Sequence, residues 1–345
     1  MAKAESLPIV EVCPSRAALI GNPSDQHGGN VLAVPLWNFF ATVTLSPFMD
    51  GFVFQELPIT ASSLSEAIKK ARREGPGEMS GLIKASLPVF GELLESAGTL
   101  ASSQDFVTQV GTNIPRQRGL AGSSAVITAF LKALIRLHGL TDHPNVAPSK
   151  LAHLVLSVET DELLIKAGPQ DRVVQSFCKP VLMDFSSKAY AANEGVHGQY
   201  MAVEVSSLPK MALLTSNVPS HSGKVHSSID PHDPKIKKLM AEAAELAKTG
   251  AEALKVGDTV ALGSKMQRNA MIRVEAFGEE ILGQANMQLL EIAKQANCPM
   301  NYTGSGGAAV VLLPEGAKSL KTLRRVIAEK PFKGNFTVTE AKFER

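Results

Sequence analysis

The chain has 345 residues, 44% of them hydrophobic and 20% charged, with a formal net charge of +2. That length favours two domains over one, and the apolar share is that of a folded globular protein and not of a disordered one. The interspersed, near-neutral charge leaves no footprint for nucleic acid or an anionic membrane, no apolar run approaches the ~18 residues of a bilayer span, and three cysteines, Cys13, Cys178 and Cys298, have neither disulfide-framework nor zinc-site spacing.

The first eleven residues lack the basic region and apolar core of a secretory leader, and the thiols suit a reducing compartment, so the expected location is cytoplasmic. Residues 9–12 alternate weakly and predict a strand, followed by a Gly/Pro/Asn/Asp loop over 21–30. Residues 31–45, rich in β-branched and aromatic side chains, predict a second strand or pair. Helical periods follow over 62–75 and 82–97. A strand over 106–110 leads into the glycine-rich stretch 119–124, and residues 125–137 read as a buried helix. Further on come helices over 149–158 and 171–177, a strand over 180–185, and a polar stretch, 186–198, that is the best candidate for a domain junction. The rest predicts a strand over 211–215, helices over 234–255, 259–276 and 283–295, a glycine-centred strand unit over 301–313, a helix over 318–329 and a strand over 335–341. Strands and helices do not alternate regularly, so the fold class is α+β, with domains expected over 1–195 and 196–345.

The most informative stretch is Asn113-Ile114-Pro115-Arg116-Gln117-Arg118-Gly119-Leu120-Ala121-Gly122-Ser123-Ser124-Ala125. Glycines admit close approach of a ligand to the backbone, and the helix that follows offers unpaired amides and a positive dipole end to an anion, phosphate above all. It is not a Walker loop, because the lysine of that motif is missing. Alone, Gly122-Ser123-Ser124-Ala125 is equally a capped helix start.

Two distant stretches add to it: Cys13-Pro14-Ser15-Arg16-Ala17-Ala18-Leu19-Ile20-Gly21-Asn22-Pro23-Ser24-Asp25, and Thr303-Gly304-Ser305-Gly306-Gly307-Ala308-Ala309. In this order and spacing the three resemble the signature motifs of the GHMP kinases, over nearly the whole chain. Within that family the chain is most similar to the glucuronokinase branch, through Ile114-Pro115-Arg116-Gln117, Gln170-Asp171-Arg172-Val173-Val174-Gln175, Met183-Asp184-Phe185, Ser222-Gly223-Lys224-Val225-His226-Ser227 and Tyr302-Thr303-Gly304.

The resemblance implies a ribosomal protein S5 domain 2-like N-terminal domain and a ferredoxin-like C-terminal domain. It implies transfer of the γ-phosphoryl group of ATP, with Mg²⁺, to a small sugar or sugar-acid hydroxyl, by a monomer or homodimer. ATP would bind at Pro115, Gly119, Leu120, Ala121, Gly122, Ser123, Ser124 and Ala125. Asp171 corresponds to the family's proton-accepting aspartate, although an aspartate soon after a proline is also a common helix opener. Glu159, with Glu162 as rival, would share Mg²⁺ with the hydroxyl of Ser124 or Ser123. Arg16 would support the charge that develops on the transferring phosphoryl group. Asp25, Asn22, Gly306, Asn269, Arg273 and Lys224 are the implied acceptor contacts.

The branch implies D-glucuronate as acceptor and 1-phospho-D-glucuronate as product, a salvage step toward a nucleotide sugar. A uronate needs a cation for its carboxylate, and Lys224, Arg116, Arg268 and Arg273 are candidates. Over residues 269–273 the chain departs from the branch pattern: Asn269 and Arg273 match, but Met271 stands where an aspartate is expected. Galactose, arabinose or mevalonate as acceptor, or a sensor that has lost catalysis, are the rival readings.

Overall fold

The computed structural model describes residues 6–47, 52–54, 57–61, 64–74, 81–98, 106–217, 230, 232–304 and 306–345. The chain packs as two compact units: Met1–Ser15, Phe39–Ile114 and Ala121–Cys178 form the first, and Arg16–Asn38, Pro115–Leu120 and Lys179–Arg345 the second. Two long strands, β1 (Ile9–Ile20) and β2 (Asn30–Pro47), contribute to both. From Cys13 to Ile20 every residue of β1 is buried, so the strand carries no alternating signal beyond the residues 9–12 that the pattern predicts.

In the first unit β2 pairs antiparallel with β5 (Phe106–Thr112), Val43 opposite Val110. Two short strands absent from the sequence expectation, β3 (Phe52–Phe54) and β4 (Leu57–Ala61), extend that edge, β3 parallel to β5 and antiparallel to β4. The helices are α1 (Leu64–Glu74), α2 (Gly81–Ser96), α3 (Gly122–Leu137), α4 (Pro148–Ser157) and α5 (Gln170–Phe177). Nearly all of α3 is buried, as its all-round apolar sequence requires. Proline opens α4, where its missing N–H costs nothing, and a single π turn over Val158–Glu162 closes the helical run.

In the second unit the first half of β2 pairs with β6 (Val181–Asp184), Leu32 opposite Leu182, and β6 with β7 (Gln199–Ala202). A short helix, α6 (Ser187–Ala191), precedes β7, capped by the Ser186 hydroxyl, which accepts from the Ala189 amide. Both elements fall in or beside the stretch that reads as a junction by composition. A four-stranded antiparallel sheet follows, in the order β11 (Phe336–Glu340), β8 (Met211–Ser216), β10 (Ala308–Leu312), β9 (Met300–Tyr302). The long helices α7 (Pro234–Lys255) and α8 (Thr259–Gln295) and the shorter α9 (Ala317–Ala328) complete the unit. Leu214, Leu289, Ile292, Tyr302, Val311 and Leu323 are central to its core. Gly278 and Gly283 leave helical geometry at φ 74° and 76°, the break expected between residues 276 and 283.

Candidate active site

In the first unit, α3 begins without a side-chain cap. Ala121 precedes it in the left-handed region at φ 58°, ψ 48°, unusual for a residue with a Cβ, and Gln175 Nε2 on α5 donates to its carbonyl at 2.8 Å. The first-turn serines point to one carboxylate: Ser123 Oγ lies 3.0 Å from Glu159 Oε1, and Ser124 Oγ 3.1 Å from Oε1 and 3.3 Å from Oε2. Glu159 sits on the π turn that ends α4 and is 1% exposed. Its charge is balanced by Arg172 of α5, which ion-pairs with Oε2 and also donates to the Gly168 carbonyl. Asp171, next in the chain, has Oδ2 4.0 Å from Arg172 Nη1. Ser123, Ser124, Glu159 and Asp171 are therefore joined through Arg172, whose bridging role no sequence signal indicated. Glu162, the rival of Glu159, is part-exposed.

In the second unit, Arg16 is 4% exposed and ties two glycine loops together. Its Nη1 donates to the carbonyls of Gly119 at 2.8 Å and Thr303 at 2.6 Å, and its own amide donates to Leu120 at 3.4 Å. A Cβ on Gly304 would stand 2.6 Å from the Gly119 oxygen and 3.1 Å from both Nη atoms of Arg16, so the absence of a side chain there is a packing requirement.

Beneath that tie, three buried asparagines form a closed clasp. Asn22 Nδ2 donates to the Tyr302 carbonyl and its Oδ1 accepts from Asn301 Nδ2, both at 2.9 Å. Asn269 Oδ1 accepts from the Gly21 amide at 2.6 Å, and its Nδ2 donates to the Asn22 carbonyl at 3.0 Å. Asn22 and Asn269, expected as acceptor contacts, have both ends of their amides engaged within the protein. In the structure they pin the first motif, the strand before the third, and α8 to one another.

Comparison with known proteins matches the model of the GHMP kinases N terminal domain to residues 82–179. Glucuronokinase 1 of Arabidopsis thaliana is 35% identical over 95% of this chain and 90% of its own length. Probable glucuronokinase 2 of the same plant is 34% identical over 90% of this chain and 85% of its own. The chain belongs to the GHMP kinase family. In fold it is similar to Streptococcus pneumoniae phosphomevalonate kinase, at a TM-score of 0.72 and 15% identity, covering 98% of this chain and 99% of that one.

GHMP kinases transfer phosphoryl groups, and the serine–glutamate cluster has the donors for an accompanying hard cation. Among the described residues no group of three His, Cys, Asp or Glu could hold a metal by itself. One carboxylate and one or two hydroxyls, with the remaining positions left to phosphate and water, is a set that fits Mg²⁺. Ser124 and Glu159 are the residues that would hold it.

The other acceptor candidates of this GHMP kinase lie in the second unit or outside the described residues. Asp25 is buried in the short 3₁₀ turn Ser24–His27, and it acts electrostatically on both Arg273 and Tyr190. Gly306, at φ 128°, is backed by Asn286, whose Oδ1 accepts from the Gly307 amide at 2.9 Å; a Cβ at 306 would meet that side chain at 2.6 Å. Met271 is exposed on α8 while Asn269 and Arg273 are buried, so the aspartate missing there belongs to the helix's outer side. Lys224 lies outside the described residues. No helix among those described is long and apolar enough to cross a membrane.

Proposed function

We propose that this kinase transfers the γ-phosphoryl group of ATP to the anomeric hydroxyl of D-glucuronate, giving 1-phospho-D-glucuronate for nucleotide-sugar salvage. The observation that carries the reading is the 35% identity with a glucuronokinase over 95% of the chain. The linked Ser124, Glu159, Arg172 and Asp171 group supports it with a chemistry suited to phosphoryl transfer.

In this reading the uncapped amides of the first turn of α3 receive phosphate oxygens. Mg²⁺, when bound at Ser124 and Glu159, neutralises phosphate charge. Arg172 fixes the Glu159 carboxylate so that Oε1 stays turned to the serine hydroxyls. The acceptor oxygen bonds to the γ-phosphorus as the bond to the ADP oxygen breaks, and the acceptor's proton passes to the Asp171 carboxylate. Arg16, by holding the Gly119 and Thr303 carbonyls, shapes the backbone of both glycine loops.

An ADP-release assay across D-glucuronate, D-galactose, L-arabinose and mevalonate tests the assignment. Turnover with glucuronate at the highest kcat/KM is expected, and turnover with galactose but not glucuronate would overturn it.

A further inference from the structure

Arg273 stands one helical turn beyond Asn269 on α8 and is 1% exposed. One part of its guanidinium is committed: Nη1 donates to the Gly304 carbonyl at 2.6 Å. Its Cζ also lies over two aromatic rings, 5.6 Å from the centre of Phe277 and 5.4 Å from that of Tyr302. What remains is the side-on edge. Nε and Nη2, the parallel donors of that edge, are both buried and neither has a hydrogen-bond partner among the described residues.

A buried donor left unmatched is costly, and two on one charged group are more so. Burial accordingly pulls the Arg273 pKa down to about 10. The edge has the geometry of a fork whose natural complement is a planar carboxylate taking two parallel hydrogen bonds. Neighbouring groups also act on Arg273 through space. Tyr302 and Asp25 favour its charged form and Arg16 opposes it. Asp25 makes no hydrogen bond to the fork, since neither Nε nor Nη2 has a partner.

The other described cations are worse placed for this task. Arg268 is held by two acids, with Nε and Nη2 at 2.6 and 2.8 Å from the Glu242 carboxylate and Nη1 at 2.5 Å from Glu275 Oε1. Arg116 is exposed, where a water-screened charge discriminates little between ligands.

The geometry points to the Nε/Nη2 edge of Arg273 as the anchor for the acceptor's carboxylate, and so as the residue by which this kinase distinguishes a uronic acid from a neutral sugar. This rests on the glucuronate reading above. Because the fork is shut away from water, an ion pair formed there is stronger than at the surface, and a neutral acceptor leaves both donors unmatched. The edge is covered in this structure, so the acceptor reaches it only if neighbouring atoms shift.

The test compares D-glucuronate with its amide, D-glucuronamide, and with D-glucose on the wild-type protein, on Arg273→Gln and on Arg273→Lys, with ATP affinity measured for each. The expected result is a wild type that prefers glucuronate over the amide, and an R273Q that loses about 100-fold or more in kcat/KM on glucuronate while the preference collapses. R273K keeps the charge but not the fork and should show the same loss of preference to a smaller degree; it carries the test should R273Q not fold. A purely structural arginine would depress all three sugars and ATP binding together, with the preference intact. R273Q or R273K that retains the preference overturns the anchor and leaves the glucuronate reading standing. A wild type inactive on glucuronate overturns both.

Discussion

Arg172 and Glu159 form an ion pair that is almost sealed from solvent, with side chains 4% and 2% exposed, directly behind the serines that begin α3. Desolvating two charges is expensive, and removing one partner of such a pair costs about 3–5 kcal/mol because the other is left buried and unmatched. Arg172→Met should therefore lower the midpoint of urea unfolding strongly. Arg172→Met combined with Glu159→Leu should recover much of that stability and none of the turnover. If the single variant unfolds like the wild type, the pair does not hold these elements together.

Asp171 is the expected proton acceptor and stands apart from that stabilising role, with a side chain 19% exposed. Asp171→Ala should reduce kcat at least ~100-fold, while nucleotide affinity changes less than about 3-fold. Equilibrium binding of a nucleotide analogue beside steady-state turnover checks it. Unchanged turnover would mean that the base lies elsewhere, and a wild type without turnover that the protein is a sensor with this fold.

The sequence exposed the parts of this molecule that repeat a local rule. Helical periods marked α1 to α5 and α7 to α9, and glycines marked the break in α8 and the hairpin between β9 and β10. Where the rule is not local, the reading stopped. β1 is covered on both faces from Cys13 on and shows no alternation there, and β3 and β4 are too short to carry a pattern. Glu159 and Asp171 could be named from their motif context, but the pairing of Glu159 with Arg172 depends on how a π turn presents one residue to the next helix. The Asn22, Asn269 and Asn301 clasp joins positions some 280 and 32 residues apart in its two asparagine–asparagine bonds, and nothing in any one segment announces it.

Gly304 offers a test of the tie made by Arg16. A methyl group at 304 would press on the Gly119 oxygen at 2.6 Å and on the Arg16 guanidinium at 3.1 Å, and the first of these is backbone that cannot swing aside. Gly304→Ala should cost about 1–3 kcal/mol of stability through overpacking. It should also raise the KM for ATP or lower kcat by roughly tenfold, since a shift of about 1 Å in a positioned loop has effects of that size or larger. A variant with normal kinetics would show that the contact between the two loops is not needed for turnover.

His138, at the C-terminal end of α3, supplies a pH dependence that can be assigned to one side chain. Its ring packs against the edge of Phe90, with centroids 5.3 Å apart, and its Nε2 is buried with no hydrogen-bond partner among the described residues. Burial lowers its pKa from the ordinary 6.5 to about 4. Below pH 6.5 the unfolded chain binds a proton that the folded chain refuses, so stability falls as the pH drops from 6.5 toward 4, and above 6.5 this contribution is constant. A difference of that size corresponds to about 3 kcal/mol across the window. His138→Met keeps the apolar contact and removes the titration. Urea unfolding of both proteins between pH 5 and pH 8, ordinary conditions for the assay, should show the wild type losing stability toward the acid end relative to the variant, with the two parallel above pH 7. Parallel curves through the acid range would mean that His138 takes up its proton in the folded protein as readily as in the unfolded one.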